Sequence, residues 1–461
     1  MPIIAAFMVP HPPMIVPDVG RGSEKQVQKT IAAYEKVAEE IAVLKPDTIV
    51  ISSPHSVMYA DYFHISPGQK ATGSFSDFGA PQVKFEVDYD TDFVELLERK
   101  AQSSRFPEGT LGEKNPSLDH GTMVPLWFIL KQYKDFKLVR TGLSGQDLLK
   151  HYEYGTMIKA TAEELDRRVV YVASGDLSHK LQDYGPYGFA KEGPLYDARI
   201  MDVCSSARFG ELFDFDESFC EKAAECGHKS FVIMAGALDG MAVDAKQYSH
   251  EDVTGVGYGI CSFVPKGDDE ARHFLKARLE FVEDEITSKK EKSDAYVRLA
   301  RASAEHYVKN GAVMPLPDWV PAELLNARAG AFVSIHKFGA LRGCIGTTGP
   351  TQKNIAQEII HNAISAVSKD PRFKPVEEDE LKYLDISVDV LEEPEKIKSK
   401  SKLDVKNYGV IVQSGYKRGL LLPDLDGVDT VEQQVSIARR KGGIATGEKV
   451  ELFRFKVVRH Y

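Results

Sequence analysis

The sequence predicts two folded bodies: an α/β amino-terminal domain, with a mixed sheet covered by helices, and an α+β carboxyl-terminal domain. Three observations carry that expectation. The chain has 461 residues, too many for one core at about 150 residues per domain. Up to residue 265, short apolar β-branched runs alternate with longer amphipathic stretches, the pattern of a layered α/β fold. Residues 266–292 are then rich in both charges, and beyond them the pattern changes. This gives domains at 1–265 and 293–461, joined by a charged helical connector at 266–292.

In the first domain the strand candidates are Ile3 to Val9, Thr48 to Ser52, Phe136 to Thr141, Val169 to Ala173 and Val256 to Val264. Their unbroken apolar character implies a sheet covered on both faces. Helical spacing falls between them, at Ser23 to Leu44, Phe93 to Gln102, Gln146 to Arg167 and Phe231 to Leu238. The second domain reads as a helix at Asp294 to Lys309, a loop marked by Pro315, Pro317 and Pro321, a strand near Ala331 to His336 and a helix near Gln352 to Ser368. Strands follow at Leu384 to Leu391, Gly409 to Gln413 and Arg418 to Leu422. Two loops, Ala60 to Ala80 and Leu181 to Pro194, have the aromatic and glycine content of lids.

Composition narrows the function. With 43% hydrophobic and 27% charged residues the chain is of the soluble globular class. A net charge of -10 has the wrong sign for an electrostatic nucleic-acid binder. No stretch approaches the ~20 apolar residues of a membrane span. The five cysteines form no C-x-x-C pair, which argues against a zinc ribbon or a disulfide scaffold and for a reducing cytoplasm. The apolar start lacks a basic region and is broken by Pro10, His11, Pro12 and Pro13, so it reads as a buried strand and not as a leader.

The sharpest signal is histidine placement. His11 (VPHPP), His55 (SSPHS) and His179 (SGDLSHK) each follow a strand candidate within a few residues. In open α/β sheets the ligand crevice lies beyond the carboxyl ends of the strands, so three such histidines converge on one site. Imidazole suits a transition metal or proton transfer near neutral pH. A fourth, His120, follows Asp119 and precedes Gly121 and a short apolar helix; its plainer reading is an Asp/His helix start. Glu225, in AAECGHKSFVIMAGAL, enters a run that should be a buried helix, and a carboxylate there needs a partner, either a helix N-terminus or a metal. Glu221 and His228 compete for the same role.

VPHPP, SPHS, LDHGTMVPL, SGDLSH and the glutamate before CGHKSF, in that order, resemble the class III extradiol, LigB-type, ring-cleaving dioxygenases. The resemblance spans the first domain. It implies a ferrous iron held by His11, His55 and Glu225, acid/base roles for His179 and His120, and as substrates a small aromatic diol with dioxygen. In that chemistry His179 takes the second phenolic proton and His120 stabilises developing negative charge. It also implies cytoplasmic aromatic-compound metabolism and a homodimer. The same superfamily has a Memo-like branch with a different metal site, and variants in which histidines hold zinc or another divalent metal, a set His228 would permit.

The segment from Ser293 on resembles the AMMECR-type domain of the AmmeMemoRadiSam system protein A family, through LRGCIGT (Leu341 to Thr347), NAISAVSKDPRF, ISVDVLEEPEKI, RGLLLPDL and ARRKGGI, the last with Gly442 where alanine is usual. That implies a radical-SAM partner. Arg342 and Cys344 have two readings: a small second site, with an anion clamp and a thiol activated by a neighbouring cation, or a tight turn with an inert cysteine. The functional expectation is therefore an iron-dependent ring-cleaving dioxygenase with an accessory domain. The alternatives are a Memo-like metal-binding regulatory or scaffold protein without turnover, and a hydrolase built on Cys344.

Overall fold

The computed structural model describes every residue except Met1 and Asp426. The chain folds as two compact units that divide between Arg278 and Leu279.

The first unit is built on a six-stranded sheet of β1 (Ile3–Val9), β2 (Thr48–Ser53), β3 (Lys137–Gly142), β4 (Val169–Ser174), β5 (Met241–Glu251) and β6 (Tyr258–Asp268), in the order β3-β2-β4-β1-β6-β5. Strands β3, β2, β4 and β1 run parallel. The β6 and β5 ribbon adds to β1 in antiparallel fashion, so the sheet is mixed. Every residue of β2 and β4 is buried, as expected of central strands covered on both faces. Helix α1 (Gln28–Leu44) turns Ala33, Tyr34, Val37, Ala38 and Ile41 inward, the spacing of one helical face. The order β2-β4-β1 matters most for function. It places the carboxyl ends of three neighbouring parallel strands, and the segments carrying His11, His55 and His179, on one edge of the sheet.

Several elements depart from the sequence reading, among them helix Glu192–Ser205, which takes up the end of the expected lid at Leu181 to Pro194. Strand β5 lies at the sheet edge and is mostly polar, so it lacks the apolar run by which the other strands announce themselves. Part of the expected lid at Ala60 to Ala80 is a hairpin, Lys70–Phe75 against Ala80–Asp88, with alternating exposed and buried residues in its first strand.

The two-residue strands Phe63–His64 and Glu108–Gly109 pair in parallel. Both carboxyl oxygens of Glu108 are buried without a hydrogen-bond partner. Burial, reinforced by Glu98, pushes its pKa from 4.5 to about 8. The folded chain therefore holds a proton here that the unfolded chain has lost, and stability contributed by this group falls as pH rises from about 4.5 through about 8. Glu108→Gln is expected to unfold at a higher temperature than wild type, by a margin that widens from about pH 5 to about pH 9. A margin independent of pH in thermal unfolding of the full chain would contradict the assignment.

Later helices of this unit include α2 (His120–Gln132), α3 (Leu148–Glu164) and α4 (His228–Ala237); of the expected connector at 266–292, residues 266–268 continue β6 and Phe274–Lys292 form helix α5. Asp239 anchors its start by accepting the Phe274 amide at 2.9 Å and the His273 imidazole at 3.0 Å.

The second unit is α+β. One sheet has β7 (Ala331–Lys337), β8 (Ala340–Gly346), β9 (Leu384–Leu391) and β14 (Val457–His460) in the order β8-β7-β9-β14. The other has β10 (Glu395–Ile397), β11 (Gly409–Ser414), β12 (Lys417–Leu421) and β13 (Glu451–Phe455) in the order β10-β13-β11-β12. Helices α6 (Ala295–Asn310) and α7 (Ile355–Ser368) pack together, α7 over β7 and β8 and α6 against β9, with Ile359, Ile360, Ala363, Ile364 and Val367 turned into the core. The LRGCIGT segment is mostly strand β8, paired antiparallel with β7. Among the described residues no helix is long and apolar enough to cross a membrane.

Candidate metal centre

Strand β1 delivers His11, which is 1% exposed. Its backbone amide donates to Asp176 Oδ1 at 2.7 Å, and its Nδ1 lies 2.9 Å from Ser174 Oγ. Ser174 Oγ in turn sits 2.5 Å from the Gly121 carbonyl. That oxygen pair needs a hydrogen, and the serine hydroxyl supplies it. Ser174 can then only accept from His11, so Nδ1 carries the imidazole proton and Nε2 presents its lone pair. The Gly121 carbonyl is free because the residue four positions on in α2 is Pro125, which has no N–H to close the usual helical bond.

The Nε2 lone pair faces two other groups. His55 Nε2 is 2.9 Å away and Cys226 Sγ 3.7 Å away. His55 stands on the turn after β2, its amide donating to Ser53 Oγ at 3.2 Å; the residue is exposed while its ring packs against those of His11 and His120. Cys226 precedes α4. Its sulfur accepts the Asp176 amide at 3.3 Å, a contact that favours a thiolate once a cation is near. The close approach depends on glycine: a Cβ on Gly175 would lie 2.1 Å from the Gly227 Cα. The donor atoms of His11, His55 and Cys226 all lie within 4.8 Å of one another. Two imidazoles and a sulfur fit a transition metal, not a hard ion such as magnesium.

Glu225 is placed differently from the ligand role expected of it. Its carboxylate accepts the His228 amide at 2.6 Å at the start of α4, outside the cluster of converging donors. The helix N-terminus is its partner, and burial still raises its pKa to about 7 against the His228 amide and Lys229. His228 does not join the cluster either: it is buried, with Nε2 3.0 Å from the Leu212 carbonyl and Nδ1 3.5 Å from the Tyr196 hydroxyl.

The remaining residues surround the three donors. The His120 ring centroid is 4.0 Å from that of His55 and 5.4 Å from that of His11. Burial, then the two neighbouring imidazoles, lower its pKa to about 4. The neighbouring Asp119 is engaged elsewhere. That carboxylate caps α2 through the Thr122 amide at 3.0 Å, accepts Ser53 Oγ at 2.5 Å and pairs with Arg140 through Nε and Nη2. Burial would raise its pKa, but Arg140, Ser53 and Thr122 together hold it low. His179 has Nε2 buried with no hydrogen-bond partner among the described residues. Burial lowers its pKa, with Asp176 opposing, so the imidazole is neutral at pH 7. His11 and His55 are likewise held low by burial. Asp176 is raised to about 6 by burial, against the His11 amide and the His179 and His55 rings.

Cys226 and Asp176 are the residues that sequence reasoning missed. Each lies inside a quoted motif, one beside Glu225 and the other three residues before His179.

Ser174→Ala is expected to release the His11 tautomer without touching a donor atom, weakening metal binding by about 10- to 10²-fold, the range for outer-shell partners. Titration with a competing chelator measures this, and unchanged affinity would contradict the tautomer argument.

In the second unit, the Arg342 guanidinium is committed internally. It grips Glu380 at 3.1 and 2.8 Å and donates to the carbonyls of Lys374 and Pro375. Burial alone would raise the Glu380 pKa; Arg342 and Lys337 bring it down to about 2. Arg342 is thus a structural clamp, not a free anion site. Cys344 lies on β8 opposite Ser334, whose hydroxyl donates to its sulfur at 3.2 Å. Its amide donates to Asp370 at 2.9 Å, and Asp370 is held by Arg372.

Comparison with known proteins agrees with this architecture. The family of the catalytic LigB subunit of aromatic ring-opening dioxygenase matches residues 5–261, and the AMMECR1 family matches residues 297–460. Protein CA_C1420 of Clostridium acetobutylicum is 41% identical over 462 residues, covering 98% of both chains. A Thermotoga maritima protein is 52% identical over 167 residues, which is 36% of this chain and 96% of that one. The crystal structure of the uncharacterized protein PH0010 from Pyrococcus horikoshii matches with a TM-score of 0.35 and 32% identity, over 37% of this chain and 91% of that one. With its parallel strand ends gathering the histidines and its second α+β unit, the chain belongs to the LigB family over its first domain and to the AMMECR1 family over its second.

Proposed function

We propose that the first domain is a single-metal oxidoreductase that holds iron in the ferrous state through His11, His55 and Cys226 and opens a catechol-like ring with dioxygen. The observation that carries this reading is the convergence of three donor atoms, one locked in its ligating tautomer, beside a histidine whose Nε2 is unpartnered. When bound, the metal would supply a Lewis acid for the diol oxygens and redox chemistry with dioxygen.

The chain's own residues supply the rest. His179, neutral at pH 7, accepts a phenolic proton at Nε2 and can return it. His120, also neutral, donates a hydrogen bond to developing negative charge. His55, an exposed residue, marks the side from which a ligand enters. A partner from a radical-SAM system and a homodimeric assembly belong to this proposal as well, carried by the family resemblance alone.

One observation favours a second reading, a metal-binding protein of the Memo-like branch without ring cleavage. The third donor is the sulfur of Cys226, while Glu225 caps a helix. A thiolate in place of a carboxylate makes the site softer and less like the two-histidine, one-carboxylate set of oxygen-activating iron. Oxygen uptake with a panel of catechols, on protein reconstituted anaerobically with ferrous iron, separates the two. Uptake that yields a ring-opened product supports the first reading; one metal per chain with no uptake on any diol supports the second.

A further inference from the structure

A general base is usually aimed by a hydrogen bond from its second ring nitrogen to a fixed acceptor. For His179 the backbone is fixed up to Ser178, whose amide donates to Asp197 at 2.8 Å and whose hydroxyl donates to the Ala223 carbonyl at 2.7 Å. The imidazole beyond it has a different support. The Tyr187 ring lies against it, stacked with centroids 5.1 Å apart and planes at 26°.

Tyr187 does not sit there for its own burial, since it is 59% exposed and its neighbours Tyr184 and Phe189 are exposed too. Its loop is held in place. Leu181 bridges Phe189, the Leu181 amide donates to the Gly255 carbonyl at 3.2 Å, and Gln182 donates to Asp252 at 3.2 Å. Gly188, with φ of 72°, turns the chain back immediately after Tyr187, a conformation that favours glycine. A large exposed ring on a pinned loop, laid over an imidazole whose buried Nε2 has no hydrogen-bond partner, serves that imidazole.

We propose that Tyr187 is the positioning residue of His179: its ring fixes the imidazole plane so that Nε2 stays buried and shielded from water. This rests on His179 as the proton acceptor, but its principal test does not require turnover.

In metal-loaded full-length protein, diethyl pyrocarbonate modification is followed on the tryptic peptide Val169 to Lys180, in which His179 is the only histidine. Tyr187→Phe, which keeps the ring, should be modified at the wild-type rate, and Tyr187→Ala several-fold faster. Wild-type rates in Tyr187→Ala would overturn the inference, as would equal acceleration in both variants. If the protein turns over a diol, Tyr187→Ala should lower kcat by up to about 10²-fold at unchanged metal content, the scale of a misplaced catalytic group, and Tyr187→Phe should restore it. A change in KM alone would overturn it. Absence of turnover in the wild type counts against the ring-cleaving activity, and the labelling pattern then decides the role of Tyr187.

Discussion

Cys226→Ala should bind metal at least about 10²-fold more weakly than wild type, while Glu225→Gln should keep it. The two residues are adjacent, but their side chains have different work. The Cys226 sulfur is 3.7 Å from the His11 Nε2 lone pair and accepts the Asp176 amide, whereas Glu225 accepts the first amide of α4. Removing the sulfur deletes one of three donors. The loss should exceed the range of about 10- to 10²-fold seen when only an outer-shell partner is removed. Glu225→Gln retains an oxygen that can accept the His228 amide, so its cost falls on the helix start, within the range of about 0.5–2 kcal/mol for lost caps. Burial pushes the Cys226 thiol well above its usual pKa, so binding must release its proton, and affinity should rise with pH. Competitive chelator titration of both variants checks the pair. Metal loss in Glu225→Gln with retention in Cys226→Ala would reverse the assignment and restore the carboxylate set.

His179→Ala should keep the metal at wild-type stoichiometry and lose turnover by about 10²- to 10⁴-fold, the range for a general acid or base. The imidazole is not among the converging donors, yet its Nε2 is buried and unpartnered. A basic nitrogen left unsatisfied in a protein interior costs stability unless a ligand completes it. His179→Ala is therefore expected to be no less stable than wild type while being far less active. The acid limb of the kcat/KM profile should also disappear in the variant, because burial holds the His179 pKa below its ordinary value and its protonation is what lowers activity as pH falls. Metal content, thermal unfolding and the pH profile, measured together, distinguish this from collapse of the site. Loss of metal in His179→Ala would make it a ligand instead.

Much of this site is legible in the sequence because strand ends carry it. The apolar runs Ile3–Val9 and Thr48–Ser53 are central strands, so His11 and His55 follow from the runs themselves. The third donor is harder to read. A glutamate entering an apolar helix demands a partner, and sequence cannot say whether that partner is a metal or the helix's own amides; here the amides take it. Cys226 looks like one more lone cysteine until Gly175 and Gly227 bring its loop against Asp176. Ser174 and Pro125 act through a carbonyl and a tautomer, neither of which leaves a pattern in the chain.

In the second domain Arg342 and Cys344 stand two residues apart on one strand, which suggests a shared site. The partner of Arg342 is Glu380, far along the chain and visible only once β8 is formed. Edge strand β5 escapes for the opposite reason: solvent on one side removes the apolar run that marks the buried strands.

His11, His55 and Cys226 are proposed to form one metal centre. X-ray absorption at the iron edge of the anaerobically reconstituted full-length protein tests it most directly, because sulfur scatters differently from nitrogen and oxygen. One sulfur and two imidazoles per iron are expected, with the sulfur signal absent in any iron that Cys226→Ala retains. A shell of nitrogen and oxygen alone, unchanged by Cys226→Ala, would contradict it.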